Sequence, residues 1–490
     1  MNEEKTGQKS ISLNFIFSFI KTLMGVIFPL ITFPYAMRVL GPEYIGKVDY
    51  AQATMSYFSL VAAFGVSAYA IREGSRIRNN KEKIEEFASQ MFTINIITMI
   101  IGYLFSIIVF VLPVFRGYRL LLVIFSTSLA LTTLGVDWLF NIYEDYGFIA
   151  IRTVVFQVIS IVLLVLLVKD EGDYHQYAAI IVFANVGSYL MNLFKSGKYA
   201  RLRLTLSKDM LVHIRPMLYI FAMNVASNIY LVMDRSMLGM MTANNDREVG
   251  LYSAAVKIIT VVVTLISSIR IVMIPRVSYC MDNGNEEEVQ DLNYKTAKGI
   301  LMLAIPSVVG LFCLSKEVIY LFSGDEFLDT NITLRILLID ILFAAMNGFL
   351  VNQIFVSYRK DKLAGIATFL GAGVNLVFNA ISIPLIGRNG AAISTCLAEM
   401  AIFLYCVIVI RKIFDARKLI RPTIEFFLAS FLIVGVYALI AHVTSNIYLI
   451  LIGTVVLGAL LYFVVLYVMK NDMMRFMVDY LLKGRLKKKN

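Results

Sequence analysis

The sequence predicts an all-α integral membrane protein of about fourteen transmembrane helices, built as two similar six-helix lobes plus two C-terminal helices. Three observations carry this. Only 16% of the 490 residues are charged while 59% are hydrophobic, against about 25% charged in ordinary soluble domains. The apolar residues fall in non-alternating blocks of about 20, the length a helix needs to cross about 30 Å of hydrocarbon. Barrel strands would be about half as long and would alternate. The loop Lys and Arg, finally, fall about three to one on one side of the predicted fold.

The blocks place helices at about 12–36, 47–70, 88–112, 119–140, 149–168, 177–194, 214–240, 250–274, 297–321, 333–356, 363–384, 391–410, 423–442 and 448–469. The first is too long for the apolar region of a cleavable signal peptide. It holds Pro29 and Pro34, which are expected to bend or break it and free carbonyls for a wet cavity. The seventh is the least regular, since it contains Asn224, Asn228, Asp234 and Arg235. With the N-terminus inside, about 31 of the 45 Lys and Arg fall in cytoplasmic segments and about 9 in outer ones. A wrong helix count would scramble that parity, so both termini are expected in the cytoplasm. The tail through Lys487, Lys488 and Lys489 reads as a headgroup-facing anchor. Net charge is +11, but its placement in short loops points to membrane lipids and not to nucleic acid. Every outer loop is short, so function must reside among the helices.

An internal repeat organises the spans. Leu40-Gly41 followed by Ile45-Gly46 is echoed by Leu238-Gly239 followed by Val249-Gly250, and aligning Gly46 with Gly250 also aligns Arg72 with Arg276. Six helices separate the copies. An even number keeps the repeats parallel, and transporters place substrate in the crevice between such halves. The expected divisions are 1–205, 206–420 and 421–490, with the loop Lys195 to Arg215 joining the lobes.

Ionisable residues inside hydrocarbon are costly and usually face a cavity or a partner. Lys21 and Lys257 lie deepest, and with Arg270 and Arg152 they would make a crevice suited to phosphate or diphosphate. Arg152 and Arg270 lie near helix ends, where snorkelling is an equal alternative. Asp234, Asp137, Asp340 and Glu399 are candidates for coupling a cation or balancing the lysines. Asn375 and Asn379 stand one turn apart on one helix face and are expected to join helices, or to line a polar cavity. Cys280, Cys313, Cys396 and Cys406 have no metal-ligand spacing, and His175, His213 and His442 form no ligand set. No nucleotide loop, catalytic triad or metal motif is visible, so neither a cofactor nor ATP hydrolysis is expected.

Four segments carry a family resemblance: Arg38-Val39-Leu40-Gly41-Pro42-Glu43-Tyr44-Ile45-Gly46; Gly135-Val136-Asp137-Trp138-Leu139-Phe140; the run Glu144 to Arg152; and Ile383-Pro384-Leu385-Ile386-Gly387-Arg388-Asn389-Gly390-Ala391-Ala392. In this order, with fourteen spans, the chain resembles the Wzx-type polysaccharide flippases. That family shares a superfamily with the lipid II flippase and the multidrug and toxic compound extrusion transporters. The resemblance implies a V-shaped pair of lobes in the bacterial cytoplasmic membrane. It also implies export of an undecaprenyl-diphosphate-linked oligosaccharide, beside a polysaccharide polymerase and a chain-length regulator. Arg72 follows the second helix, as a basic residue does in the family, and joins the candidate substrate contacts. The rivals are a multidrug cation antiporter on the same scaffold, which would line its crevice with acids, a membrane glycosyltransferase or polymerase, and a non-transporting scaffold.

Overall fold

A computed structural model describes residues 11–486, so the expected anchor residues Lys487 to Lys489 lie outside the described residues. Every element among the described residues is a helix. Among the described residues, thirteen stretches are long and apolar enough to cross a bilayer. The first, Ile20–Ile77, runs 58 residues, about 87 Å if straight and nearly three times the hydrocarbon thickness. It therefore holds two crossings, and the total matches the fourteen spans expected.

The helix Ile11–Ala63 is interrupted at Gly41, with φ 69° and ψ 172°. That backbone region is essentially open only to glycine. Pro42 then starts the next helix at no cost, because its missing N–H would be unsatisfied there anyway. Pro29 and Pro34, expected to break the first crossing, leave its dihedrals helical. Their rings hold φ near the helical value, so each removes a hydrogen bond without ending the helix. The second crossing stops at Phe64 and Gly65, both at positive φ. Its orphaned Ala62 carbonyl accepts from Asn95 Nδ2 at 2.9 Å and Thr98 Oγ1 at 2.7 Å, which supplies the partners a helix end needs. A separate helix, Val66–Ile77, then carries Arg72 and Arg76.

The burial pattern reverses that of a soluble protein. On the helix Lys81–Val111, Leu104, Phe105, Ile107, Ile108 and Val111 are each more than half exposed, while Asn95, Thr98 and Ser106 are buried. Lipid solvates the apolar face, and polar groups pair inside, where small hydroxyls bond neighbouring backbone.

The chain divides into two compact units, Met1–Gly250 and Leu251–Asn490. In the first, the helix Leu211–Met241 packs on Ile11–Ala63 and Val66–Ile77. The seventh helix thus belongs to the first unit, although the connecting loop places the division at 205/206 in the sequence. Gly46 and Gly250, aligned by the repeat, meet within this unit. A Cβ on Gly46 would lie 1.6 Å from the Asp246 carbonyl oxygen, and one on Gly250 would lie 1.8 Å from that of Pro42. In the second unit, Ile420–Val443 packs on Glu286–Cys313 and on Ile447–Val468. The last two crossings therefore pack on the core of this unit.

Candidate functional site

In the first unit, the chain after the helix Arg119–Leu134 turns through Val136 at positive φ and starts a short helix, Asp137–Ile142. Asp137, expected inside the fourth crossing, instead opens this short helix. Its carboxylate pairs with the guanidinium of Arg152, which sits on the helix Tyr146–Leu167. The Arg152 side chain is 1% exposed. It also donates to Ser188 Oγ at 3.5 Å and lies 4.9 Å from the centre of the Tyr189 ring. A planar fork held against a carboxylate and an aromatic face suits arginine and not lysine. The sequence left Arg152 between a crevice and snorkelling at a helix end; here its charge is matched by Asp137 inside one unit. Asp145, also buried, accepts from Lys195 Nζ at 2.8 Å and Tyr199 Oη at 2.6 Å. These contacts explain the second and third family segments as an ion-paired corner.

The other first-unit candidates stand apart. Lys21 is exposed on the first crossing. Arg72 is exposed too, with Nε 2.9 Å from Glu73 and its guanidinium 5.6 Å from the Tyr69 ring centre. Asp234 is buried on Leu211–Met241, two residues from Ser236, whose Oγ accepts from Tyr57 Oη at 3.1 Å.

The second unit gathers more of the predicted residues. Arg270 Nη1 donates to the Gly348 carbonyl at 2.5 Å, and any Cβ at 348 would lie 2.9 Å from that nitrogen. The preceding residue, Asn347, donates through Nδ2 to the Glu399 carbonyl at 2.8 Å and to the Glu399 carboxylate. The helix Asn331–Phe349 then widens into a π-turn over Leu350–Phe355. Gln353 on that turn donates to Asn293 Oδ1 at 2.9 Å and Thr296 Oγ1 at 3.3 Å. Thus Arg270 and Glu399 reach adjacent residues of one irregular helix, and π-turns are frequent at functional positions. Asn379 Nδ2 donates to Asn375 Oδ1 at 3.0 Å, and both are fully buried. Lys257 is half-buried and Asp340 buried, each on a different helix. Asn347 and Gln353 were not singled out in the sequence, although two amides in an apolar run were a visible signal. Replacing Asn347 with alanine is expected to strip a donor from two buried Glu399 oxygens. The loss is about 2 kcal/mol, read as a lower midpoint of thermal unfolding in detergent.

The fourth family segment is a tight turn. Gly387 (φ 55°) joins Asp361–Ile386 to Arg388–Ile410, and a Cβ on Gly390 would lie 2.4 Å from the Ser382 carbonyl oxygen. Together with Gly41 and Gly46, it makes the first and fourth segments devices of turning and close packing.

Residues 12–281, more than half of the chain, match the family described as polysaccharide biosynthesis protein. The chain belongs to that family. This polysaccharide biosynthesis protein also matches the MatE family over residues 220–381. It is 31% identical to the lipid II flippase MurJ of Bacillus subtilis over 161 residues, 32% of this chain and only 29% of that relative. It is 20% identical to the capsular polysaccharide biosynthesis protein CapF of Staphylococcus aureus over 413 residues, 82% of this chain and 99% of that one. Among solved structures, lipid II flippase MurJ in an inward closed conformation superposes with a TM-score of 0.78 at 18% identity. That match covers 94% of this chain and 100% of that one, and it shows a shared fold. The family match and the spans make the protein a multi-pass membrane protein of the polysaccharide biosynthesis family.

Proposed function

We propose that this family member flips an undecaprenyl-diphosphate-linked oligosaccharide from the inner to the outer leaflet of a bacterial cytoplasmic membrane, by alternating access. The family match over residues 12–281 carries the reading. Lys21, Lys257 and Arg270 are the cations proposed to accompany the diphosphate, since an unpaired anion in hydrocarbon is prohibitively unstable. Arg152, held by Asp137, takes a positioning role, and Arg72 a place at the exposed end of the second crossing. Asp234, Asp340 and Glu399 are the candidates for coupling a proton or cation. With a negative interior, each negative charge moved outward gains about 2.3 kcal/mol per 100 mV, so a diphosphate with about two charges gains about twice that. A polymerase and a chain-length regulator would act on the exported product.

The MatE match over residues 220–381 favours a second reading, a multidrug cation antiporter. One reconstitution separates the two. Vesicles holding the protein are given a fluorescent undecaprenyl-diphosphate oligosaccharide or a fluorescent quaternary ammonium dye. The flippase reading expects movement of the lipid alone. It also expects a rate at least tenfold lower in the Lys21→Gln/Lys257→Gln variant, inserted to the same level. Dye movement without lipid movement supports the antiporter. An unchanged lipid rate in the double variant removes the two lysines from the pathway.

A further inference from the structure

The second unit contains a basic pocket that the transport reading does not use. Its volume is about 160 Å³. Lys298 enters it from the helix Glu286–Cys313, Lys418 from the turn Ala416–Leu419, and Arg421 from the first turn of Ile420–Val443. Lys470 closes it from the link between the last crossing and the helix Asp472–Leu486. Two carboxylates share the lining, so the four cations leave an excess of two positive charges. Glu425 is occupied: it accepts from Arg421 Nε at 3.0 Å and Asn471 Nδ2 at 2.6 Å. Asp472 is 86% exposed and stands 3.8 Å from Lys298, so water screens that pair. Lys418 lies 5.1 Å from the Tyr294 ring centre. Neither Lys418 nor Lys470 has a carboxylate within ion-pair distance among the described residues.

The pocket has a fixed frame. Asn471 is 4% exposed, and besides holding Glu425 it caps the following helix, accepting from Met473 N at 3.0 Å and Met474 N at 3.3 Å. Lys470 adopts φ 59°, which turns the chain sharply at the end of the last crossing. Like charges gathered on such a frame repel one another, and an anion relieves that repulsion.

Position and size identify the anion. Arg421 lies near the start of the span Ala416–Val443, and Lys470 follows the span Ile447–Val468 by two residues. The pocket therefore sits at the boundary between hydrocarbon and water. Beside the lining residues in the chain, Ile420, Ile424, Tyr467 and Val468 are each more than half exposed, an apolar collar at this end of the two spans. A soluble anion would have no use for this apolar collar, whereas acyl chains would cover it. The pocket volume admits a phosphate with a small polar substituent. Basic pockets between crossings at a membrane face are known to suit anionic headgroups.

We propose that this pocket binds the phosphate headgroup of an anionic membrane phospholipid, as a fixed lipid site separate from the transport path. The proposal is independent of the substrate reading above. The test uses the full-length protein in nanodiscs of phosphatidylcholine with or without phosphatidylglycerol, read by native mass spectrometry and thermal unfolding. Phosphatidylglycerol is expected to stay bound and to raise the unfolding midpoint. Lys298→Gln/Lys418→Gln/Lys470→Gln is expected to lower retention at least fivefold. Lys360→Gln/Lys362→Gln/Lys412→Gln, which removes the same charge outside the pocket, is expected to leave it unchanged. Should the pocket triple variant fail to purify, Lys470→Gln alone is expected to lower retention about twofold to threefold. Equal retention in pocket and control variants overturns the site. Equal stabilisation of lipid-free protein by inorganic phosphate or pyrophosphate overturns the lipid assignment, because the apolar collar would then be irrelevant.

Discussion

Gly46→Ala and Gly250→Ala are each expected to destabilise the protein by about 3 kcal/mol or more, although alanine is normally the better helix residue by about 1 kcal/mol. The reversal comes from what the new methyl group meets. At Gly46 it would stand 1.6 Å from the Asp246 carbonyl oxygen, and at Gly250 1.8 Å from that of Pro42. Both obstacles are backbone, so no side chain can rotate away. Residues 42–46 and 246–250 would have to move apart by well over 1 Å, and their local contacts would be lost. Gly373 and Gly435 are the internal controls, since a Cβ at either has no neighbour within 4 Å. Their alanine variants are expected to be neutral or slightly more stable. Thermal unfolding of all four variants in one detergent checks the prediction. If Gly46→Ala behaves like Gly373→Ala, the close approach of residues 42–46 to 246–250 is wrong.

The second large effect is expected at the buried pair of the first unit. Asp137→Asn leaves the Arg152 guanidinium, 1% exposed, without a counter-charge. Such a loss typically costs about 3–5 kcal/mol. Arg152→Met should cost less, because Asp137 is 22% exposed and water can reach it. The double variant Arg152→Met/Asp137→Leu should recover much of the loss, since burying two apolar groups avoids two desolvated charges. Arg152→Lys should not rescue, as an ammonium offers neither the fork nor the flat face that lies over Tyr189. A double-mutant cycle by thermal unfolding should give a coupling of about 2–3 kcal/mol. Additive single effects would mean that the pair is not coupled.

These two expectations show how differently residues can be read. The first crossing was visible as an apolar block, but its end at Gly41-Pro42, one residue that turns and one that starts a helix, was not, since the block ended at 36. The loop expected from 37 to 46 contracts to that single residue. The pair Asn375 and Asn379 was also legible, because a spacing of four fixes neighbours on one helix. Arg152 was not. Its depth and charge were evident, but its partner Asp137 follows a backbone turn at Val136 that no periodicity announces. Asn347, Gln353 and the π-turn likewise depend on a helix distortion set by neighbouring helices.

By itself, then, the sequence determined the solvent and the number of crossings. Those are properties of single segments, set by transfer of apolar groups into lipid and by local backbone sterics. Only the tertiary structure decided which buried charges are matched. It also assigned the seventh helix to the first unit and brought four distant cations round one pocket. Each of these depends on which face a helix turns to its neighbours. In a membrane, apolarity cannot specify that face, because lipid and protein interior are equally oily.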